Sequence, residues 1–217
     1  MNKYWKFATI SLASFALTAL IATRRKGTSS QKAKARAMGY TKYQKYPIFM
    51  DAILKGESRG YNDYNWGCKG TSGSFLYGRT KTGTIPKKLT DLTITEIQSY
   101  QSACKLYAVG RYQMIPSTLQ AMVTALRISK NSKFTEEIQD RLGTALVDIK
   151  RKEISEYLNG KVDDTEANLT RAVYYTAKEW SSVANPYTGV SYYSSDRAST
   201  SADSAKKALR EQRKAIV

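Results

Sequence analysis

From Thr93 onward the chain is punctuated for helices, and this limits what it can fold into more than any other feature. Thr93-Ile94-Thr95-Glu96 has the form of a capping box, in which the threonine hydroxyl and the glutamate carboxylate each accept from the other residue's backbone N–H. Leu92 and Ile97 are spaced as the accompanying hydrophobic staple, and this helix is expected to run to about Leu106. Pro116 and Ser117 open another, through Leu119, Met122, Val123 and Leu126, since proline suits a first helical turn. A third is expected from roughly Thr135 to Tyr157, with Leu142, Leu146, Ile149 and Ile154 in the core. A fourth should span Thr165 to Val183 through Leu169, Val173, Ala177 and Trp180, and a basic amphipathic helix should cover Ala202 to Ile216. Upstream, Pro47 marks the start of a helix whose Ile48, Phe49, Ala52 and Ile53 share one face. Gly56 ends that pattern. From Tyr61 to Lys88 glycine, threonine, tyrosine and asparagine replace the period, so loops with a small β-hairpin are expected. The fold class is therefore α+β and mostly helical, with a small irregular or β lobe after the first helix of the folded region.

Ahead of that region the composition changes. Phe7 to Thr23 carries no charge and follows Lys3 and Lys6, which reads as a signal peptide or a weak membrane anchor over residues 1–23. Arg24, Arg25 and Lys26 follow at once, and positive flanks favour staying inside. Residues 24–45 hold eight basic residues and no acid. A flexible basic linker is expected over 24–46, with the folded domain at 47–217.

Charge and missing residue types narrow the chemistry. Lys and Arg number 35 against 18 Asp and Glu, a formal net charge of +17. Such a field draws the chain to polyanions, the anionic bacterial envelope ahead of nucleic acid. There is no histidine, so Ser-His-Asp and Cys-His arrangements and histidine-built zinc sites are excluded. Cys68 and Cys104 could pair in an oxidising compartment or stand as two separate thiols. Carboxylate chemistry on glycans remains. It needs a carboxylic acid that delivers a proton to the leaving oxygen. Glu57 is the candidate: its backbone is fixed by an apolar helix, and it faces a polar, aromatic-rich loop. A solvated helix-end glutamate is the alternative. The phrase Ala108-Val109-Gly110-Arg111-Tyr112-Gln113 offers a glycine-hinged turn. Tyr112 and Gln113 could bond sugar hydroxyls; equally, Tyr112 could sit in the core and Gln113 cap the next helix. Arg111 is expected as a solvated or ion-paired surface group, and Glu179 as a second polar contact or a solvated one.

These phrases, taken in order, resemble a known family. Phe49 to Ile53, Glu57, and Tyr61-Asn62-Asp63-Tyr64 look like the opening of the phage-lambda-type lysozyme family. Gly110-Arg111-Tyr112-Gln113 is similar to its second motif, and Phe134 to Asp140 to the stretch after it. Glu179-Trp180-Ser181-Ser182-Val183, with Gly189 and Tyr192, resembles its tryptophan segment and following loop. The likeness spans residues 47–217; the loop from Thr71 to Lys87 matches poorly. It implies a lysozyme-like fold and lytic transglycosylase cleavage of the MurNAc–GlcNAc linkage, with Glu57 as the single acid/base. Ser58, Asp63, Tyr64, Tyr112, Gln113, Trp180 and Tyr192 are the expected substrate contacts. Asp63 could act as a second carboxylate, which would favour hydrolysis, or simply cap its loop. The expected partner is a peptidoglycan glycan strand, with membrane contact through residues 7–23. No metal or other cofactor is called for, and a monomer is expected. The setting would be a phage endolysin, a virion-borne lysin or a secretion-channel factor, exported or carried in a virion. The alternatives are a hydrolytic muramidase, or an inert basic protein on the same fold that binds virion components or nucleic acid.

Overall fold

The computed structural model describes residues 33, 36–69, 75–79, 85–193 and 197–217. Helix α1, Pro47–Leu54, has proline in its first turn and buries Phe49, Met50, Ile53 and Leu54. Its N-cap, Tyr46, supplies no side-chain bond. The free N–H groups are met instead from the far end of the chain: Gln212 Oε1 accepts from Ile48 N at 2.9 Å and Phe49 N at 3.3 Å. Gln212 belongs to the last helix, α7 (Ala202–Lys214), whose Ala205, Ala208 and Leu209 are buried. Packing of α1 on α7 thus joins the two ends of the fold.

After α1, strands β1 (Asn65–Lys69) and β2 (Phe75–Arg79) pair antiparallel, Asn65 opposite Arg79 and Lys69 opposite Phe75. Helix α2, Ile94–Ser102, carries the expected capping box: Glu96 N donates to Thr93 Oγ1 at 3.1 Å and Thr93 N to Glu96 Oε2 at 2.7 Å. Leu92 and Ile97 are both buried. Next come α3 (Pro116–Ala125), α4 (Glu136–Ala145), a π-helical turn (Leu146–Lys150), α5 (Lys152–Leu158) and α6 (Glu166–Ala177). Thr135, Thr165 and Ser201 cap α4, α6 and α7 with their hydroxyls. The helices enclose one core in which Tyr46, Phe49, Phe134, Tyr157 and Trp180 are the largest rings. Burying each such ring stabilises by roughly 2–3 kcal/mol relative to leaving it in water. The described residues are mostly helical with a small hairpin, as the sequence pattern implied.

Several boundaries differ from expectation. The stretch read as linker to residue 46 is packed from Tyr40 on: Tyr40, Gln44 and Tyr46 are buried. Aromatic rings among the lysines supply the apolar area that charge counting overlooked. Arg111, expected as a solvated or ion-paired surface group, is half-buried against rings and backbone carbonyls. Its guanidinium lies 3.6 Å from the Tyr40 ring centroid and 5.0 Å from that of Tyr61, and Nη1 donates to Gly39 O at 2.8 Å. Burial pushes the Tyr40 hydroxyl up to about 12. Helix α2 stops at Ser102, where Cys104 takes a left-handed φ of 57° and Lys105 N returns to Tyr100 O. Cys104 is disulfide-bonded, and Cys68 is the chain's other cysteine. The single helix expected over 135–157 is split by the π turn and by Arg151, which leaves helical geometry (φ −124°) and pairs with Glu179. Helix α6 ends at Ala177 rather than Val183, and residues 178–183 turn across the end of α1. The proposed signal or anchor, residues 24–32, 34 and 35 of the linker and part of the Thr71–Lys87 loop lie outside the described residues. Among those described, no helix is long and apolar enough to cross a membrane.

Candidate active site

Glu57 follows directly on α1, and its backbone N–H closes that helix on Leu54 O at 3.0 Å. Its orientation is decided by Gly56. A Cβ there would lie 2.3 Å from Ser199 Oγ and 2.9 Å from Ser182 Cβ. Only glycine lets the end of α1 approach the 182–199 segment so closely. The carboxyl group then accepts from Ser182 N at 2.8 Å, across 125 residues of chain. This neutral donor holds one oxygen in place whether the group is protonated or ionised.

The second part is the turn between the paired residues Val109 and Met114. Gly110 has φ +73° and donates to Asp63 O at 2.8 Å. Gln139 lies beneath it, accepting from Arg111 N at 3.0 Å and donating to Tyr61 O and Phe134 O, both at 3.0 Å. A Cβ on Gly110 would stand 2.3 Å from Gln139 Oε1. Gly110→Ala therefore combines a left-handed backbone with displacement of a buried amide, and should cost at least about 2 kcal/mol. Urea unfolding of the variant measures this; an unchanged midpoint would contradict the assigned packing. Gln113 also has a positive φ, 46°, and its Nε2 donates to Gly110 O at 2.9 Å. Ser58 Oγ donates to Arg111 O at 2.7 Å and so ties this turn to the Glu57 loop.

Glu57 and Gln113 line one cleft of about 270 Å³, together with Asn65, Tyr107, Ile115, Trp180 and Tyr193. Its other end is charged. Glu179, with a side chain 6% exposed, accepts from Lys150 Nζ and Arg151 Nε, each at 2.8 Å. Lys150 also donates to Thr118 Oγ1 at 2.8 Å. Both oxygens of Glu179 are thus taken up in ion pairs at the cleft wall; of its two expected readings, second polar contact or solvated group, the solvated one gives way. Glu57 is the other carboxylic acid on the cleft wall.

The structure brings only part of the expected set together. Glu57 and Gln113 face the cleft; Trp180 touches its wall but is a core residue, 2% exposed, whose indole packs edge-to-face on Phe49 with 6.2 Å between centroids. Ser58 positions the turn rather than lining the cleft. Asp63 Oδ2 accepts from Arg59 N at 2.9 Å, a loop cap, and is not among the lining residues. Tyr64 is a core residue paired with Val109. Tyr112 is a correction to its expected sugar contact. It is 2% exposed, donates to Asp140 Oδ1 at 2.7 Å and accepts from Gln44 Nε2 at 2.6 Å, so its hydroxyl is spent in the interior. Tyr192 stands outside the cleft; its neighbour Tyr193 lines it. Lys150, Thr118 and Lys178 were not anticipated, because their approach follows from helix packing and the π turn and leaves no mark in local spacing.

Comparison with protein-family models, curated proteins and solved structures finds no match.

Proposed function

We propose that this chain is a peptidoglycan lytic transglycosylase on a lysozyme-like fold. The observation that carries the reading is the Glu57 carboxyl group, fixed by Ser182 N–H on the wall of a cleft that also holds Gln113, Trp180 and Tyr193. Rings and amide groups at a cleft are what an N-acetyl sugar requires: apolar faces for its ring, donors and acceptors for its substituents. The net charge of +17 favours approach to an anionic envelope.

In this reading Glu57 donates its proton to the glycosidic oxygen as the MurNAc C1–O bond breaks. The resulting carboxylate then takes the proton of the muramyl 6-hydroxyl, whose oxygen bonds to C1. The product is a 1,6-anhydro end, and Glu57 is again protonated. An internal hydroxyl needs no second carboxylate to orient water. The engagement of Asp63 in its own loop and of Glu179 in two ion pairs suits a one-carboxyl mechanism.

Product mass tests this. Purified murein digested with the full chain should yield anhydromuropeptides. Ends heavier by one water would identify a hydrolase that uses the same acid, and intact murein would reject the glycosidase reading.

A further inference from the structure

Tyr193 and Lys178, which line the cleft, also belong to a shelf of tyrosines, and the other rings of that shelf lie outside the cleft lining. Tyr174 lies at its centre, with ring centroids 5.6 Å from Tyr175, 5.5 Å from Tyr187 and 5.9 Å from Tyr192. Tyr192 is 5.4 Å from Tyr193. Tyr187 is 68% exposed, and Tyr192 and Tyr193 are exposed beside it. The loop that presents them is held by its own bonds. Gly189 N donates to Asn185 O and Asn185 N to Val190 O, both at 2.8 Å, and Ser191 Oγ donates to Ser181 O at 2.8 Å. The rings are therefore set in place before any ligand arrives.

Lys178 Nζ sits over three of them, 5.4 Å from the Tyr174 and Tyr175 centroids and 5.6 Å from that of Tyr192. Ring faces attract and orient an ammonium group without cancelling its charge. Among the described residues Lys178 makes no ion pair, in contrast to Lys150 and Arg151 at the same cleft. A surface that joins stacking faces to an oriented positive charge fits a sugar that carries a carboxylate.

The geometry points to this shelf as a subsite for a carboxylate-bearing sugar of the strand that occupies the cleft, the exposed rings of Tyr187 and Tyr193 taking the sugar face and Lys178 the carboxylate. The assignment rests on the glycan-cleaving reading and deepens it. Continuity fixes the occupant: Tyr193 and Lys178 line the cleft and also belong to the shelf. In murein the carboxylate has two sources, the lactyl group of a peptide-free muramyl residue or the stem peptide attached to it.

Binding to the full chain carrying Glu57→Gln, in which turnover of the ligand is expected to be slow, separates the outcomes. Calorimetry would use three probes: a neutral chitooligosaccharide, peptide-free MurNAc–GlcNAc chains, and chains bearing stem peptides. Adding Lys178→Gln should weaken one or both anionic probes about threefold to tenfold, leaving the neutral one unchanged. The backbone carbonyl of Lys178, which accepts from Arg151 and from Tyr193, is untouched by this change. Loss on the peptide-free probe alone assigns the lactyl carboxylate, which becomes an amide once a stem peptide is attached; loss on the peptide-bearing probe alone assigns the stem peptide, and loss on both shows that the shelf takes either carboxylate. Tyr187→Ser, at a solvent-facing ring, should weaken all three. Equal effects of Lys178→Gln on charged and neutral probes, or no effect of either change, would overturn the subsite while the cleft reading stands. A Glu57→Gln protein that binds none of the probes would overturn both.

Discussion

Glu57→Gln is expected to slow murein cleavage by about 10²–10⁴-fold and to leave the thermal midpoint unchanged. The amide is nearly the same size as the carboxyl, and its carbonyl oxygen can still accept from Ser182 N, the bond that measures 2.8 Å here. The close approach of Gly56 to Ser182 and Ser199 is also kept. What is lost is the proton: an amide cannot give one to the leaving oxygen, nor take one from the attacking hydroxyl. Steady-state release of muropeptides together with a melting curve checks both halves of the expectation. A variant that folds and cleaves like the wild type would remove Glu57 from the mechanism.

The largest effect on stability is expected at Asp140, a carboxylate fully buried beneath the Gly110 turn. It accepts from Tyr112 Oη at 2.7 Å, from Thr41 N at 2.6 Å and from the Tyr61 hydroxyl at 3.0 Å. Asp140→Ala leaves three buried donors without this acceptor and should cost about 3–5 kcal/mol. Activity should fall with it at temperatures where the variant unfolds. Asp140→Asn keeps an acceptor for Tyr112 but turns an N–H₂ toward Thr41 N–H, so it should be milder yet still destabilising. Burial lifts the Asp140 carboxyl above its ordinary value of 3.8, while the bonds from Tyr112, Thr41 and Tyr61 oppose the rise. The folded state therefore holds this proton more tightly than the unfolded chain. Its contribution to stability is complete below about 3.8 and declines as pH rises through the folded value. Urea titrations of the three proteins measure the ranking, and Asp140→Ala as stable as wild type would refute the network's role.

The helices were legible because their signals are local. The capping box at Thr93, the prolines at 47 and 116 and the apolar faces of α3 to α7 act within one or two turns. Glu57 was legible for a similar reason: a carboxyl group directly after an apolar helix and a glycine has a restricted set of positions. Misreadings came where one side chain has two plausible uses. Tyr112 and Gln113 are adjacent and both polar, yet one lies in the core and the other faces the cleft, because the positive φ at Gly110 and Gln113 rotates the turn between them. Tyr40 and Tyr46 were hidden in a basic stretch whose charge outweighed its rings in a reading by composition.

By itself the sequence determined a mostly helical chain with a hairpin after the first helix, no histidine chemistry, and an acid at the end of α1. Tertiary structure alone decided what surrounds that acid. The Ser182 N–H that orients Glu57 is 125 positions away, and the cations that occupy Glu179 are 29 and 28 positions away. Contacts at such separations depend on how whole helices pack, and neither periodicity nor capping records that arrangement.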